Sequence, residues 1–229
     1  MKDINPIKGK YYIEDLISHG EHEHQDFKFM ISDARKIARS ISAFANNGGG
    51  HLLIGVKDNG VAAGVRNEED IYVVEQAAQR YCRPSQKVEF TAFNVGSGAV
   101  VIRASIAVAS QRPVYACDTD GKWKAFYRVA DENIVAHPLM VRAWERREAL
   151  SDEAMLFRLS EVESRLLDML DRAEAHVEVR DIAIALHIAM AEAEELVVRL
   201  AALGIITFRY AGNGGFSIVR ETNDDDVCG

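Results

Sequence analysis

The chain has 229 residues, of which 48% are hydrophobic, and a formal net charge of −8. This length predicts one or two domains, and because no stretch approaches 18 consecutive apolar residues, the sequence argues against a membrane-spanning helix. The first ten residues, MKDINPIKGK, contain no apolar signal region, so we expect a cytoplasmic protein. The scattered cysteines Cys82, Cys117 and Cys228 form no CxxC pair and are expected to be reduced thiols.

The charge is divided unevenly along the chain. Residues 1–150 carry 20 Lys and Arg against 19 Asp and Glu, whereas residues 151–229 carry 7 against 16. Binding to a phosphate backbone requires clustered Lys and Arg. We therefore expect the first part of the chain, rather than the second, to bind nucleic acid.

The N-terminal region predicts a short helix over Tyr11–Ser18, followed by an acidic, histidine-rich segment. His19, His22 and His24 suggest a metal site, but zinc usually takes four fixed ligands and no cysteine lies nearby. A solvated polar loop is the favoured interpretation.

The segment from Asp26 to Gly60 carries the clearest local signals. A helix is indicated by Ile37, Ile41 and Phe44, which share one face, and we expect Ser32 to cap it with Asp33 in its first turn. The run NNGGG at residues 46–50 permits the left-handed conformation that ends a helix. A buried strand follows, and Asp58-Asn59-Gly60 is typical of a tight hairpin turn.

This segment resembles the AlbA-type domain shared by bacterial regulator-like proteins and the Schlafen family. Their pattern is roughly E-x4-EFK, then a helix ending AFAN-x-GG, then a strand ending IGV-x-D-x-G. Here Glu21 and Asp26 keep the five-residue spacing, Lys28 ends the DFK run, and Asp58 holds the turn aspartate. Asp26 replaces the usual glutamate, which keeps the charge but shortens its reach by one methylene. The resemblance covers about residues 11–136. The chain has no G-x4-G-K-[S/T] loop, so ATP hydrolysis lacks its phosphate-binding element.

The remainder of the first domain predicts a helix capped by Asn67, a hairpin over residues 87–107 and another over residues 114–129. Helices and strands alternate without a steady βαβ repeat, so we expect an α+β fold with a mixed sheet. Arg128, in the segment YRVADEN, is either a structural ion-pair partner or a phosphate contact.

The second half predicts a helix over residues 138–150 with a solvated charged face. Three further helices are predicted over residues 161–171, 180–186 and 190–203, followed by a two-stranded wing around residues 211–214. This order resembles a winged helix-turn-helix domain. The predicted divisions are an AlbA/Schlafen-type domain at 1–136, a helical linker at 137–157, the winged helix at 158–222 and an acidic tail at 223–229. The third helix begins with Glu192, Glu194 and Glu195, which repel phosphates, so protein contacts or dimerisation are favoured over DNA reading.

The resemblance implies a candidate site as well. In some Schlafen proteins the matching acidic residues carry metal-dependent RNA cleavage. The resemblance therefore implies that Glu21, Asp26 and Asp58 are candidate catalytic residues and ligands for Mg²⁺ or Mn²⁺. The alternative is a structural role for each acid, as a capping residue or a salt-bridge partner. The candidate nucleic-acid contacts are Lys28, Arg35, Lys36, Arg39 and Arg128.

Three functions remain open on these grounds. The leading hypothesis is a nucleic-acid-binding protein, resembling a transcriptional regulator, that binds DNA or RNA without turnover. The second is a metal-dependent endoribonuclease, and the third is an interaction scaffold built around the acidic winged helix. Because the Schlafen core resembles two AlbA-type lobes and this chain has one, we also expect two chains to pair as a homodimer.

Overall fold

The computed structural model describes residues 5–65, 69–96, 98–149, 158–212 and 215–221. The chain divides into two compact units, residues 1–136 and 137–229. Helices combine with a mixed sheet, which confirms the predicted α+β class. Within the described ranges, no helix is long and apolar enough to cross a membrane.

In its described residues, the first unit contains two sheets and three helices. In chain order its elements are β1 (Ile7–Lys8), α1 (Lys10–Ser18), β2 (Gln25–Lys28), α2 (Ala34–Asn46), β3 (Gly50–Ile54), α3 (Glu69–Arg80), β4 (Cys82–Arg83), β5 (Val88–Gly96), β6 (Ala99–Ile106), β7 (Tyr115–Cys117), β8 (Trp123–Val129) and β9 (Glu132–Val135). One sheet has the order β1-β5-β6-β3-β2 and the other β4-β7-β8-β9. The pairs β1–β5 and β2–β3 are parallel and the remaining pairs are antiparallel.

Helix α2 lies between the two sheets and joins them. Its Ile41 and Phe44 are fully buried in the core that also contains Leu52 and Ile102 of the first sheet and Phe126 of the second. Helix α1 covers the opposite face of the first sheet, where Ile13 packs with Phe27, Leu53 and Phe93. Alternation along the strands explains this arrangement, because neighbouring residues face opposite sides of a sheet.

A buried polar network fixes α2 against the second sheet. The Ser42 hydroxyl donates to the Val114 carbonyl at 2.7 Å and accepts from the Phe126 amide at 3.1 Å. The Asn46 side chain bonds both backbone groups of Val114, at 2.8 and 2.9 Å, and the Phe126 carbonyl at 2.9 Å. Because buried polar groups are costly when unpaired, this network sets the position of the helix.

The ends of α2 differ in one respect from the prediction. The cap is Asp33, not Ser32: its backbone is extended, and its carboxylate accepts from the amides of Arg35 and Lys36 at 2.9 and 3.4 Å. The C-terminal signal is confirmed. Gly48 and Gly49 have φ values of 95° and 88°, and a Cβ on Gly49 would lie 3.0 Å from the Ile106 carbonyl oxygen.

The second unit contains α4 (Pro138–Ala149), α5 (Glu161–Arg172), α6 (Val179–Leu186), α7 (Met190–Ala202), β10 (Ile206–Gly212) and β11 (Gly215–Arg220). The two strands pair antiparallel. Ser160 and Glu163 form a capping box at the start of α5. The fully buried Leu166, Ile182 and Leu200 bring the three helices α5, α6 and α7 into one core.

Several predicted features fall outside the described residues: the Asn67 cap, Leu150 and the rest of the linker to residue 157, the centre of the wing at residues 213–214, and the acidic tail with Cys228. Cys82 and Cys117 are buried and free of disulfides, as predicted. Burial raises the pKa of the Cys82 thiol to about 12, so this cysteine is unreactive at neutral pH.

Candidate nucleic-acid interface

The candidate site lies where edge strand β2 meets helix α2 and the β8–β9 hairpin. Strand β2 supplies Asp26 and Lys28, α2 supplies Ser40, β8 supplies Arg128 and β9 supplies Asn133. Sites assembled from residues distant in sequence are positioned by the fold rather than by a local motif.

Arg128 is the most deeply buried charge of the site, with no exposed surface. Its Nε donates to the His22 carbonyl at 3.0 Å, its Nη1 to Asn133 Oδ1 at 3.0 Å and its Nη2 to the Gln25 carbonyl at 3.1 Å. The guanidinium carbon also lies 4.9 Å from the centre of the Phe44 ring, a cation–π contact. Arg128 therefore has the structural role, which is one of the two that the sequence left open. It also lines the pocket described below, and its predicted contact with nucleic acid stays a prediction.

Asp26 is buried beside this arginine. Its Oδ1 lies 2.8 Å from Lys28 Nζ and 3.5 Å from Arg128 Nη2, and its Oδ2 accepts from Ser40 Oγ at 3.3 Å. Burial by itself would raise the pKa of Asp26, but hydrogen bonding with Glu21 and the charges of Lys28 and Arg128 outweigh it and lower this pKa. The Asp26 carboxylate thus stays ionised and compensates the buried arginine.

Glu21 is the one candidate acid that joins Asp26. Its Oε1 accepts from the Phe27 amide at 2.8 Å. Burial and the hydrogen bond with the Asp26 carboxyl raise the pKa of Glu21. The two carboxyls therefore differ: the pKa of Asp26 is lowered and that of Glu21 is raised, as expected when two acids share a hydrogen bond beside cations.

Asp58 does not join the other two acids around a common point. Strand β2 pairs with β3 in the register Asp26–Leu52 and Lys28–Ile54, so Asp58 lies beyond the end of the paired segment. There it lines a separate pocket of about 490 Å³ with Glu21 and Asp131. In the part of the chain that the structure describes, no three His, Cys, Asp or Glu residues form a group that could hold a metal ion.

The predicted Mg²⁺ or Mn²⁺ site at Glu21, Asp26 and Asp58 stays a prediction that the described residues do not support. Asp26 bonds to Lys28 and Ser40 and lines one pocket, whereas Asp58 and Glu21 line another. The histidine segment gives no metal site either: His24 Nδ1 bonds the Gly49 carbonyl at 2.8 Å, which ties this loop to the end of α2.

The exposed Lys36 and the partly buried Lys28 and Arg39 line a second pocket, which Arg128 also lines. This pocket has a volume of about 380 Å³, and its lining includes Lys28, Lys36, Arg39, Asp131 and Glu132. Lys36 is exposed and has no salt bridge to any described carboxylate. Lys28 and Arg39 are partly neutralised by Asp26 and by Asp118, respectively. We call the three residues Lys28, Lys36 and Arg39 the basic pocket.

The remaining candidate cation, Arg35, lies one turn before Arg39 on α2. Arg39 contacts Asp118 and donates to Thr119 Oγ1 at 2.7 Å, and Arg35 reaches the Thr119 carbonyl at 3.4 Å. Burial would raise the pKa of Asp118, but bonds from Lys124 and the Thr119 amide together with Arg39 lower it to about 2. The β7–β8 loop thus holds Arg39, which belongs to the basic pocket, and Arg35, which lies one turn earlier on α2.

Sequence reasoning missed Ser40, Asn133 and Asp118. Asn133 links the site internally, because its Nδ2 donates to Ser40 Oγ at 3.0 Å while its Oδ1 accepts from Arg128. Ser40 and Asn133 are 93 positions apart, and no local spacing relates them. The available signal for Ser40 was a polar residue next to the apolar positions of α2, a signal that Ser42 shares.

Fold and site together define an α+β domain of the AlbA type, with α2 between two sheets and a basic pocket at one sheet edge. Comparison with family models identifies the family: residues 21–137, just over half of the chain, match the model described as Schlafen, AlbA_2. The chain belongs to this family, and membership suggests a nucleic-acid-binding function.

Comparison with solved structures finds a similarity to the crystal structure of the DIP2311 protein from Corynebacterium diphtheriae, with 19% sequence identity and a TM-score of 0.43. The alignment covers 85% of this chain and 34% of that one, so the present chain spans about a third of the length of its structural neighbour. A search of curated proteins gives no match.

Proposed function

We propose that this protein is a DNA-binding protein of the transcriptional-regulator type, which binds the phosphate backbone at its basic pocket and does not cleave it. The observation that carries the proposal is the grouping of Lys28, Lys36 and Arg39 around one open pocket above a rigid buried scaffold. Lysine and arginine side chains supply most of the affinity for nucleic-acid backbones. Arg35, at the rim, is a further candidate contact.

The charges of the pocket limit the expected affinity for nucleic acid. Lys36 is fully available, whereas Lys28 and Arg39 share their charge with Asp26 and Asp118, and Asp131 and Glu132 add negative charge at the rim. We therefore expect a salt dependence equivalent to about two or three phosphate contacts per chain. Such a site positions a backbone without reading bases.

For the second unit we propose a winged helix-turn-helix fold, with α5, α6 and α7 as its helices and β10–β11 as its wing. In this fold α7 takes the place of the helix that usually enters the major groove. Here Arg142 bonds Glu194 and Glu195 at 3.0 and 3.3 Å, and Arg146 bonds Glu195 at 2.5 Å. Helix α4 therefore lies along the leading part of α7, which supports a role in protein contacts.

This arrangement supports the scaffold hypothesis as a second candidate function, with pairing of two chains as its simplest form. The exposed fractions of Ile184 on α6 and Met190 on α7 are 62% and 45%, so both side chains are available for a contact between chains. Light scattering at micromolar concentration tests this proposal. A mass near the 25.4 kDa of one chain, with and without nucleic acid, would contradict pairing.

The DNA-binding proposal is tested by fluorescence anisotropy with labelled duplex DNA and with single-stranded RNA of the same length, over a series of salt concentrations. We expect Lys36→Gln to weaken binding several-fold and to reduce the salt slope by about one. Lys8→Gln is the matched control, because Lys8 is exposed on β1 at the opposite edge of the sheet. Equal effects of the two variants would refute the assignment of the basic pocket.

The same samples separate binding from cleavage. Incubation of RNA and DNA with the protein, with and without Mn²⁺, tests the endoribonuclease hypothesis, for which the three carboxylates provide no shared point. We expect intact substrate in every lane. Mn²⁺-dependent products that disappear in Asp58→Asn would instead establish the nuclease.

A further inference from the structure

The second unit contains a cleft of about 520 Å³ that the DNA-binding proposal does not use. Its wall is formed by the starts of α4, α6 and α7 and by the β10–β11 hairpin. Ligand sites are typically concave, of about 300–1,000 Å³, and largely apolar with a few oriented polar groups. The size and lining of this cleft meet that description.

Aromatic rings form one side of the cleft. The His137 ring stacks on Phe208, with centroids 5.7 Å apart and an interplanar angle of 24°, and meets Phe216 edge to face at 5.8 Å. Burial lowers the pKa of His137 although Glu194 and Glu178 oppose this shift, so the ring is neutral at pH 7. Such a surface favours a planar ligand, because aromatic rings gain energy from stacked and edge-to-face contacts.

Most charges that line the cleft already have partners. Arg142 bonds Glu194 at 3.0 Å, and the Glu178 carboxylate lies 3.3 Å from His176 Nε2 and also belongs to the cap of α6. Arg180 is the exception: it is exposed and has no ion pair with any carboxylate of the described ranges.

The position of Arg180 gives no advantage to its own helix. It lies in the first turn of α6, which spans Val179–Leu186, where the positive end of the helix dipole disfavours a cation. An unpaired arginine at an apolar, aromatic cleft is suited to a carboxylate, which its planar fork binds with two parallel hydrogen bonds.

We propose that this cleft binds a small aromatic carboxylic acid, whose ring packs against His137, Phe208 and Phe216 and whose carboxylate pairs with Arg180. Glu178 and Glu194 in the same lining disfavour ligands with several negative charges. The site thus selects a single carboxylate on a flat apolar body. This inference concerns the second unit and does not depend on nucleic-acid binding by the first.

The test uses the full chain and three probes with the same ring: 2-naphthoate, the uncharged 2-naphthalenemethanol and the cationic 2-naphthylmethylammonium. Titration calorimetry measures affinity, and amide chemical shifts in NMR spectra locate the site. We expect 2-naphthoate to bind, to shift residues of the cleft, and to bind at least about tenfold more tightly than the other two probes, as a charge-assisted bidentate pair predicts.

Two exposed arginines provide the matched variants. Arg180→Gln should weaken 2-naphthoate at least about tenfold, and Arg165→Gln, on α5 and outside the cleft, should leave its affinity unchanged. Because both side chains are exposed, both variants should fold, which unchanged amide spectra would verify. The proposal is overturned if 2-naphthoate does not bind at millimolar concentration, if the uncharged probe binds equally well, or if Arg180→Gln has no effect.

Discussion

Replacement of Arg128 by alanine is expected to destabilise the first unit severely. The substitution removes three hydrogen bonds of the guanidinium, to the carbonyls of His22 and Gln25 and to the side-chain oxygen of Asn133. The two carbonyls keep the backbone amide donors of Gln25 and His22, respectively. The substitution also leaves the Asp26 carboxylate, 4% exposed, with Lys28 as its remaining cationic partner in the site. Removal of one member of a buried ion pair typically costs about 3–5 kcal/mol, a large part of the total stability of a domain.

Urea unfolding followed by circular dichroism measures this loss, and hydrogen exchange of β2 and β8 peptides shows whether it is local. Arg128→Lys keeps the positive charge but lacks the planar guanidinium that donates to three oxygens. We therefore expect its loss in free energy of unfolding to be smaller than that of Arg128→Ala. Arg80→Ala, at an exposed position on α3, should change stability by less than about 0.5 kcal/mol. If Arg128→Ala were as mild as Arg80→Ala, the idea that this guanidinium organises the site would be refuted.

Three further results are expected. Burial together with Arg103 and the neighbouring histidines lowers the pKa of His51 from 6.5 to about 4. The stability that the neutral His51 contributes is therefore complete above pH 6.5 and is lost as the pH falls to 4. In His51→Gln, the free energy of unfolding should depend less on pH between 6.5 and 4. The Asp118 carboxylate, with a pKa of about 2, contributes stability above pH 4 that is lost between pH 4 and 2, so Asp118→Asn should destabilise the protein at pH 7 and match the wild type near pH 2. The ion pairs of Arg142 and Arg146 with Glu195 are partly exposed. The double variant Arg142→Gln, Arg146→Gln should therefore lose only about 1–2 kcal/mol of the free energy of unfolding, measured by thermal unfolding.

The local elements of the first unit could be predicted because short-range rules determine them. The spacing of Ile37, Ile41 and Phe44 indicated α2, and the glycines after Asn47 indicated its end. The cap was placed one residue early, since Ser32 and Asp33 are both good capping residues and the sequence does not say which one has the extended backbone. The strand order β1-β5-β6-β3-β2 had no local signal, because it results from which hydrophobic faces pack together.

The site was predicted less completely than the fold. The five-residue spacing relates Glu21 and Asp26 because Asp26 lies in β2 and Glu21 bonds the Phe27 amide of the same strand. It could not show that Asp58 falls beyond the paired register of β2 and β3. It also left Arg128 undecided, because burial depends on β8 packing against α2, and no residue near Arg128 in the sequence reports that packing.

If the proposed cleft site is correct, net charge over a long segment is a poor guide to where anions bind. Residues 151–229 are strongly acidic, yet Glu194 and Glu195 on α7 are paired with α4. Arg180, at the cleft, has no ion pair with a carboxylate in the described part of the chain. An extended phosphate backbone would still be repelled there, because it would pass the carboxylates of Glu178 and Glu194. A small carboxylate needs only the one arginine, so the same surface can reject nucleic acid and accept a compact anion. The distribution of charges therefore supports both of our proposals, a polyanion at the first unit and a small acid at the second.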